Sequence, residues 1–265
     1  MYKSVVFFCA VCAATTSLFG AAKGTITTEN GDTQKGLIAW SSREKAYVVT
    51  KGGVELQFKE SEVSDVDIEK PETLDAAVEK VVQGQGAAAI PALQKIVTEY
   101  KHLQWDKIAG RYLAEAYIAA SKPNDAYRTC KAIIDCEPTA AYKGDLAPAY
   151  WASLLGLDKV PALEKLLEKA AKSGDRFSAG AALIMRGDII MKAGNENADA
   201  AKKALTDGYL RVVLCYRDPE IVDKLRPEAL YKAAKCFEHL GQSSRADGMR
   251  RELKGTYKSS PWAAR

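Results

Sequence analysis

Histidine is almost missing from this chain: 265 residues contain only His102 and His239. Histidine is the side chain that changes charge near neutral pH and the commonest metal ligand, so its scarcity severely limits imidazole catalysis and metal binding. No G-x-S-x-G elbow, H-E-x-x-H pair or G-x-x-x-x-G-K-[ST] loop occurs either. A strong excess of one charge sign is also lacking. Lys and Arg number 38 against 34 Asp and Glu, which argues against a dedicated nucleic-acid binder. Long apolar runs are absent beyond the first 22 residues, so no membrane span is expected in the mature chain. Cysteine is sparse. Of six, Cys9 and Cys12 fall in the first 22 residues, leaving Cys130, Cys136, Cys215 and Cys236. Cys130 and Cys136 lie six apart on one predicted helix, about 9 Å by rise alone, which is too far for a disulfide.

Residues 1–22 read as a secretory signal peptide. Lys3 supplies a positive start, Val5 to Phe19 an apolar core, and Gly20-Ala21-Ala22 a small-residue cleavage site. The mature chain is then expected to begin at Lys23, to carry a net charge of +3, and to be periplasmic or secreted.

From residue 23 to 70 the pattern has period 2. Thr25–Glu29, Gln34–Trp40, Lys45–Thr50, Val54–Lys59 and Val63–Ile68 read as strands, alternating or β-branched. Asn30-Gly31 and Gly52-Gly53 are type I′ hairpin signals. Ile38 shares a face with Trp40, and Tyr47 with Val49, while Val48 points away. Trp40 and Tyr47 read as the core of a very small barrel, with an aromatic peptide-binding face as the alternative. This segment is similar to the SH3-like or Sm-like modules at the front of exported bacterial proteins. Its 7 basic and 9 acidic residues would repel phosphate.

At Pro71 the period changes to 3.6. Leu74, Ala77, Val78, Val81 and Val82 form one helical stripe. Helices are expected at about 87–100, 106–121, 123–136, 146–156, 159–173, 175–193, 196–216, 227–241 and 243–257. Asp218-Pro219 and Arg226-Pro227 bracket a short extra segment.

Within these helices a small–large pattern repeats. Gly110, Leu113, Ala114 and Tyr117 share a face, followed by Ala126, Cys130 and a closing Pro138. Leu230, Ala233, Ala234 and Phe237, then Ala246, repeat it 120 residues later. Degenerate copies place Ala149, Tyr150 and Ser153 before Ala162 and Leu166, and Arg186, Gly187 and Ile190 before Ala200 or Ala201. The pattern resembles the tetratricopeptide repeat (TPR), W-x2-L-G-x2-Y, then A-x3-F, then P. That resemblance implies a mainly α fold: a TPR-like α-solenoid of antiparallel helix pairs over residues 71–265, preceded by the small β-barrel or bent sheet.

The resemblance also implies a binding site. Arg111 and Glu115 take the places that face the concave groove in TPR proteins. The same places fall on Ala147 and Trp151, Ile184 and Asp188, and Tyr231 and Lys235. The expected role is a protein–protein interaction scaffold of the periplasm or cell envelope, with no cofactor and with a protein or peptide partner. The alternative is an envelope hydrolase acting on glycan or protein through unidentified carboxylates. Cys236 and His239, three apart, read as a core thiol beside a half-exposed imidazole rather than a reactive pair. Gly84-Gln85-Gly86 follows a helical stripe and reads as an interhelix turn, not a dinucleotide loop.

Overall fold

A computed structural model describes residues 20–265, which it divides into two units. The first comprises residues up to Glu69 together with Glu99–Leu103; the second comprises Lys70–Thr98 and Gln104–Arg265. The proposed signal peptide lies outside the described residues except for its last three.

The first unit is a five-stranded antiparallel sheet: β1 (Ala22–Thr28), β2 (Thr33–Ser41), β3 (Ala46–Lys51), β4 (Val54–Lys59) and β5 (Val63–Ile68). Their order is β4-β3-β2-β1-β5. The alternation in the sequence fixes one apolar face. Ile38 is paired with both Ala22 and Val49, Trp40 with Tyr47, and Ile26 with Val66. Ile26, Ile38, Val49 and Ile68 are buried there. The Trp40 and Tyr47 rings meet edge to face, their centroids 4.9 Å apart, and the His102 ring lies 4.4 Å from that of Trp40. Tyr47 is buried and Trp40 half-buried.

Three details depart from expectation. Gly52 and Gly53 both have positive φ, as type I′ demands, but at Asn30-Gly31 only Gly31 does, so the first hairpin is not type I′. There the Gly31 amide donates to the Thr28 carbonyl and the Thr28 amide to that of Asp32, a longer loop. Val48 does point away from the main face, yet it and Ala39 are buried too, so the centre of the sheet is covered on both sides. Finally, residues 99–103 belong with the sheet, which interrupts the expected helical span of 71–265. His102 and Gln104 hold left-handed backbone conformations that turn the chain sharply in and out of that segment.

The second unit is helical throughout: α1 (Leu74–Val82), α2 (Gly86–Glu99), α3 (Trp105–Ala119), α4 (Pro123–Ile134), α5 (Ala147–Gly156), α6 (Val160–Lys172), α7 (Arg176–Ala193), α8 (Ala198–Ala204), α9 (Leu210–Cys215), α10 (Pro219–His239) and α11 (Ser243–Thr256). Prolines in the first turn of α4, α5 and α6 start those helices with a preset φ and no amide to leave unpaired. Asp175 caps α7 through the Phe177 amide, and Asn197 caps α8 through that of Ala200. From α3 to α8 and from α9 to α11 successive helices pack on one another, and α1 also meets α3, α3 meets α5, α5 meets α7, and α7 meets α10. Chain neighbours and alternate helices are therefore both in contact.

The small–large pattern is the core of this unit. Leu113, Ala114, Tyr117, Ala126 and Cys130 are buried in the α3–α4 pair, and Leu230, Ala233, Ala234, Phe237 and Ala246 in α10–α11. In the middle copy Ala162 is exposed, and Leu163 and Leu167 are the buried positions of α6 instead. Two helix boundaries also differ. The span expected as one helix over 196–216 contains a π-helical turn, Leu205–Tyr209, between α8 and α9. Meanwhile α10 starts at Pro219 and runs unbroken through Pro227, where a helix start after a short extra segment was expected. An interior proline costs roughly 3 kcal/mol. Packing offsets it: Pro227 is fully buried, and its neighbour Arg226 donates to the Val213 carbonyl (2.8 Å) and pairs with Glu252 (2.7 Å), joining α10 to α9 and α11.

Candidate functional site

Three of the residues expected to face a groove, Arg111, Glu115 and Asp188, belong to a network of charged side chains within the helical unit, made of two clusters of ion pairs that share α10 and are coupled by repulsion between Glu228 and Glu115. On α3, Arg111 and Glu115 are one helical turn apart, which places them on the same side. Arg111 Nε lies 3.4 Å from Glu115 Oε1, and its Nη1 donates to Asp145 Oδ2 at 2.9 Å. Asp145, in the lead-in to α5, also accepts from Lys224 Nζ of α10 at 3.5 Å. Farther along α10, Lys232 Nζ lies 2.6 Å from both Glu228 and Asp188 of α7. Asp188 accepts a second bond from the Tyr209 hydroxyl at 2.8 Å. The π turn carries Tyr209 to that position.

The electrostatics follow from this wiring. Three cations (Arg111, Lys224, Lys232) face four carboxylates (Glu115, Asp145, Glu228, Asp188). Burial pushes the Glu115 carboxyl above the ordinary range; Arg111 opposes this, while Asp145 and Glu228 add to it. Burial would lower the Lys232 ammonium, but Glu228 and Asp188 outweigh it and hold it above its usual value. Tyr209 is raised by burial and then by Asp188, so its hydroxyl stays protonated as a donor. Arg111 and Lys232 are mostly shielded, whereas Glu115, Asp145 and Lys224 keep 40%, 44% and 57% of their side-chain exposure. The end open to solvent is therefore the Arg111–Glu115–Asp145–Lys224 cluster, two cations with two carboxylates, while the surplus carboxylate sits in the shielded Glu228–Lys232–Asp188 cluster.

The remaining expected residues fare differently. Trp151 is fully buried, and its indole Nε1 donates to the Ala141 carbonyl at 2.9 Å. The expectation that it lines a groove is thereby corrected: the large ring fills the interior of the unit. Ala147 and Ile184, placed in equivalent positions, are buried as well. Tyr231 is half-buried beneath Trp262, ring centroids 5.3 Å apart, and Lys235 is exposed with Nζ 5.1 Å from the Tyr231 ring. Sequence reasoning missed Asp145, Lys224, Glu228, Lys232 and Trp262. Only Glu228–Lys232 carried a local signal, the four-residue spacing of a helical ion pair. Asp145 and Lys224 are 79 residues apart and meet only through the tertiary fold.

For other chemistry the structure offers little. Burial holds the Cys236 thiol up at about 12, with Asp188 adding to it, so it is a neutral thiol, 3.7 Å from the Met191 sulfur; His239 is exposed. Cys130 is likewise pushed up to about 12 by burial. Gly84 lies in the α1–α2 turn and Gly86 opens α2. Among the described residues no group of three or more His, Cys, Asp or Glu is placed to hold a metal, and no helix is long and apolar enough to cross a membrane. No family model, curated protein or solved structure matches the chain.

Proposed function

We propose that the chain is a protein-binding scaffold whose helical unit is a TPR-like α-solenoid and whose front sheet is an SH3-like module, exported to the periplasm or beyond. The observation that carries this reading is the charged network. Arg111 and Glu115, selected by repeat position alone, sit in one cluster of ion pairs across α3, the α5 lead-in and α10, and Asp188 in a second across α7 and α10, so that both clusters draw on α10. The ladder of contacts between alternate helices supports the solenoid. A partner segment that brings a Lys or Arg suits the open end, because it would relieve the crowding of Asp145 and Glu228 at the Glu115 carboxylate.

Crosslinking the tagged chain in an envelope fraction tests the reading. Lys224→Ala and Lys235→Ala should speed association with the recovered cationic partner, with an effect that shrinks as salt is added. Unchanged association in the double variant, with the wild-type melting temperature, would move the site off this face.

A second reading has its own observation. A carboxyl raised by burial beside two other carboxylates is how a general acid is made, so Glu115 with Asp145 or Glu228 supports the hydrolase alternative. Glu115→Gln separates the two. It abolishes turnover of a glycan or protein substrate if the site is catalytic, and only slows partner association, by a margin that shrinks as salt is added, if it is a scaffold.

A further inference from the structure

The segment Tyr257–Arg265, which follows α11, turns back onto α10. Its backbone bonds close turns within itself: the Ser260 amide donates to the Tyr257 carbonyl at 2.9 Å, and that of Ala263 to the Ser260 carbonyl at 2.9 Å. Trp262 supplies its ring contacts with α10. The indole stacks at a tilt on Tyr231, with Lys232 Nζ 5.7 Å from its centroid. Arg265 lies over the same indole at 4.1 Å, and Lys235 flanks Tyr231. An aromatic ring with cations placed around it is bound through its negatively charged face, and indole is the strongest such acceptor. Yet Trp262 is only half-buried, unlike the fully buried Trp151. Its contact is that of a ligand on a surface rather than of a core residue.

We infer that the Tyr231–Lys232–Lys235 face of α10 is a receptor for an aromatic side chain, tryptophan foremost, carried by a partner segment, and that Trp262 occupies this receptor in cis. The inference rests on the scaffold reading and names both the anchor and its regulation. Tyr231 is one of the positions assigned to the groove by repeat register, and Lys232 beside it is part of the charged network. The receptor is thus continuous with the face proposed to bind. A tether of a few residues holds Trp262 near the site at an effective concentration on the order of millimolar. A partner must displace it, and its apparent affinity falls in proportion to the fraction of molecules with the site open. Pro261 favours a turn over a helix, which keeps the indole projecting from a short, releasable segment.

The test uses the full chain and a synthetic peptide of its own residues Ser259–Arg265, SSPWAAR, with an alanine-for-tryptophan peptide as control. Trp262→Ala should bind the tryptophan peptide at least about tenfold more tightly than the wild-type chain, and the control peptide no better. Adding Tyr231→Ala should remove the gain. Tyr231→Ala with Trp262 retained should speed amide exchange across 257–265, a readout that does not depend on the Trp262 variant folding well. Equal peptide binding by wild type and Trp262→Ala, or exchange unchanged by Tyr231→Ala, overturns the inference. If the peptide results fail while Lys224→Ala and Lys235→Ala still speed association of the crosslinked partner, the scaffold reading stands without this receptor.

Discussion

Gly110 on α3 faces the tip of Ile133 on α4, which would lie 2.6 Å from an added Cβ, whereas Gly187 on α7 faces the ring of Tyr209 at 2.5 Å. The first neighbour is the far end of a flexible side chain. The second is a rigid, buried ring, fixed by its hydrogen bond to Asp188. Both pairs of segments close on a glycine, but only the second is locked by shape. The end pairs, α3–α4 and α10–α11, accordingly keep the regular small–large pattern, while the middle departs from it. There Trp151 is driven inward, and a π turn is needed to seat Tyr209 against the charged network. A large residue goes where a small one has made room, and repeat position alone does not say where that is.

Removing the large residues gives the biggest test of that contrast. Trp151→Ala and Tyr117→Ala should each destabilise the chain by about 3–5 kcal/mol in chemical denaturation, through cavities in the interior. Trp151→Ala also leaves the Ala141 carbonyl without its donor. A Trp151 variant with unchanged stability would return that residue to the surface and break the contrast.

Filling the glycines is the next largest effect. Gly187→Ala should cost about 1–3 kcal/mol, because the ring of Tyr209 cannot move without losing its place. Gly110→Ala should cost clearly less, since the tip of Ile133 can rotate aside. Equal losses would mean that α3–α4 is as tightly fitted as the middle.

Gly248, inside α11, supplies the control: an added Cβ there meets nothing within 4 Å. Gly248→Ala should stabilise by about 0.4–1 kcal/mol, read as a higher denaturation midpoint, by restricting the unfolded chain. A loss instead would place something unrecognised over that face of α11.

The smallest effect is one of pH. The Glu115 carboxyl is raised above 4.5 in the folded chain, so its ionised form costs stability. The cost is absent below about 4.5 and complete above the raised value. Glu115→Gln should therefore raise the melting temperature at neutral pH, an advantage that fades on acidification. Asp175 runs the other way. Burial opposes its ionisation, but bonds from Ser178, Gly144 and Phe177 prevail and hold its carboxyl below the usual value. Its contribution is present above about 3.8 and lost at lower pH, so Asp175→Asn should lower the neutral melting temperature. Melting curves across the acid range separate the two signs.

The five strands were legible within a few residues, because alternation along Ile38–Trp40 and Tyr47–Val49 is forced by a pleated chain with one main buried face. Most of the helix starts fell within a few residues of the expected spans too, and in the structure Pro123, Pro148, Pro161 and Asn197 stand at those starts. The helix start expected at Pro227 misled, since a local rule was overruled by burial of that ring and the helix runs from Pro219. The π turn gave no signal, as one extra residue in a helix leaves no periodicity to read. For the candidate site, Arg111, Glu115 and Asp188 were reachable through repeat register, while Trp151 was misplaced by the same rule.

What the sequence determined by itself is the change of period at Pro71, the element order and the small–large core of the end pairs, because each follows from local geometry and the burial of apolar side chains. Only the tertiary structure decided that Asp145 meets Lys224, that Trp151 lies inside and that Trp262 covers Tyr231. These outcomes depend on which distant surfaces come into contact, and on whether a neighbouring side chain is small, flexible or rigid where they do.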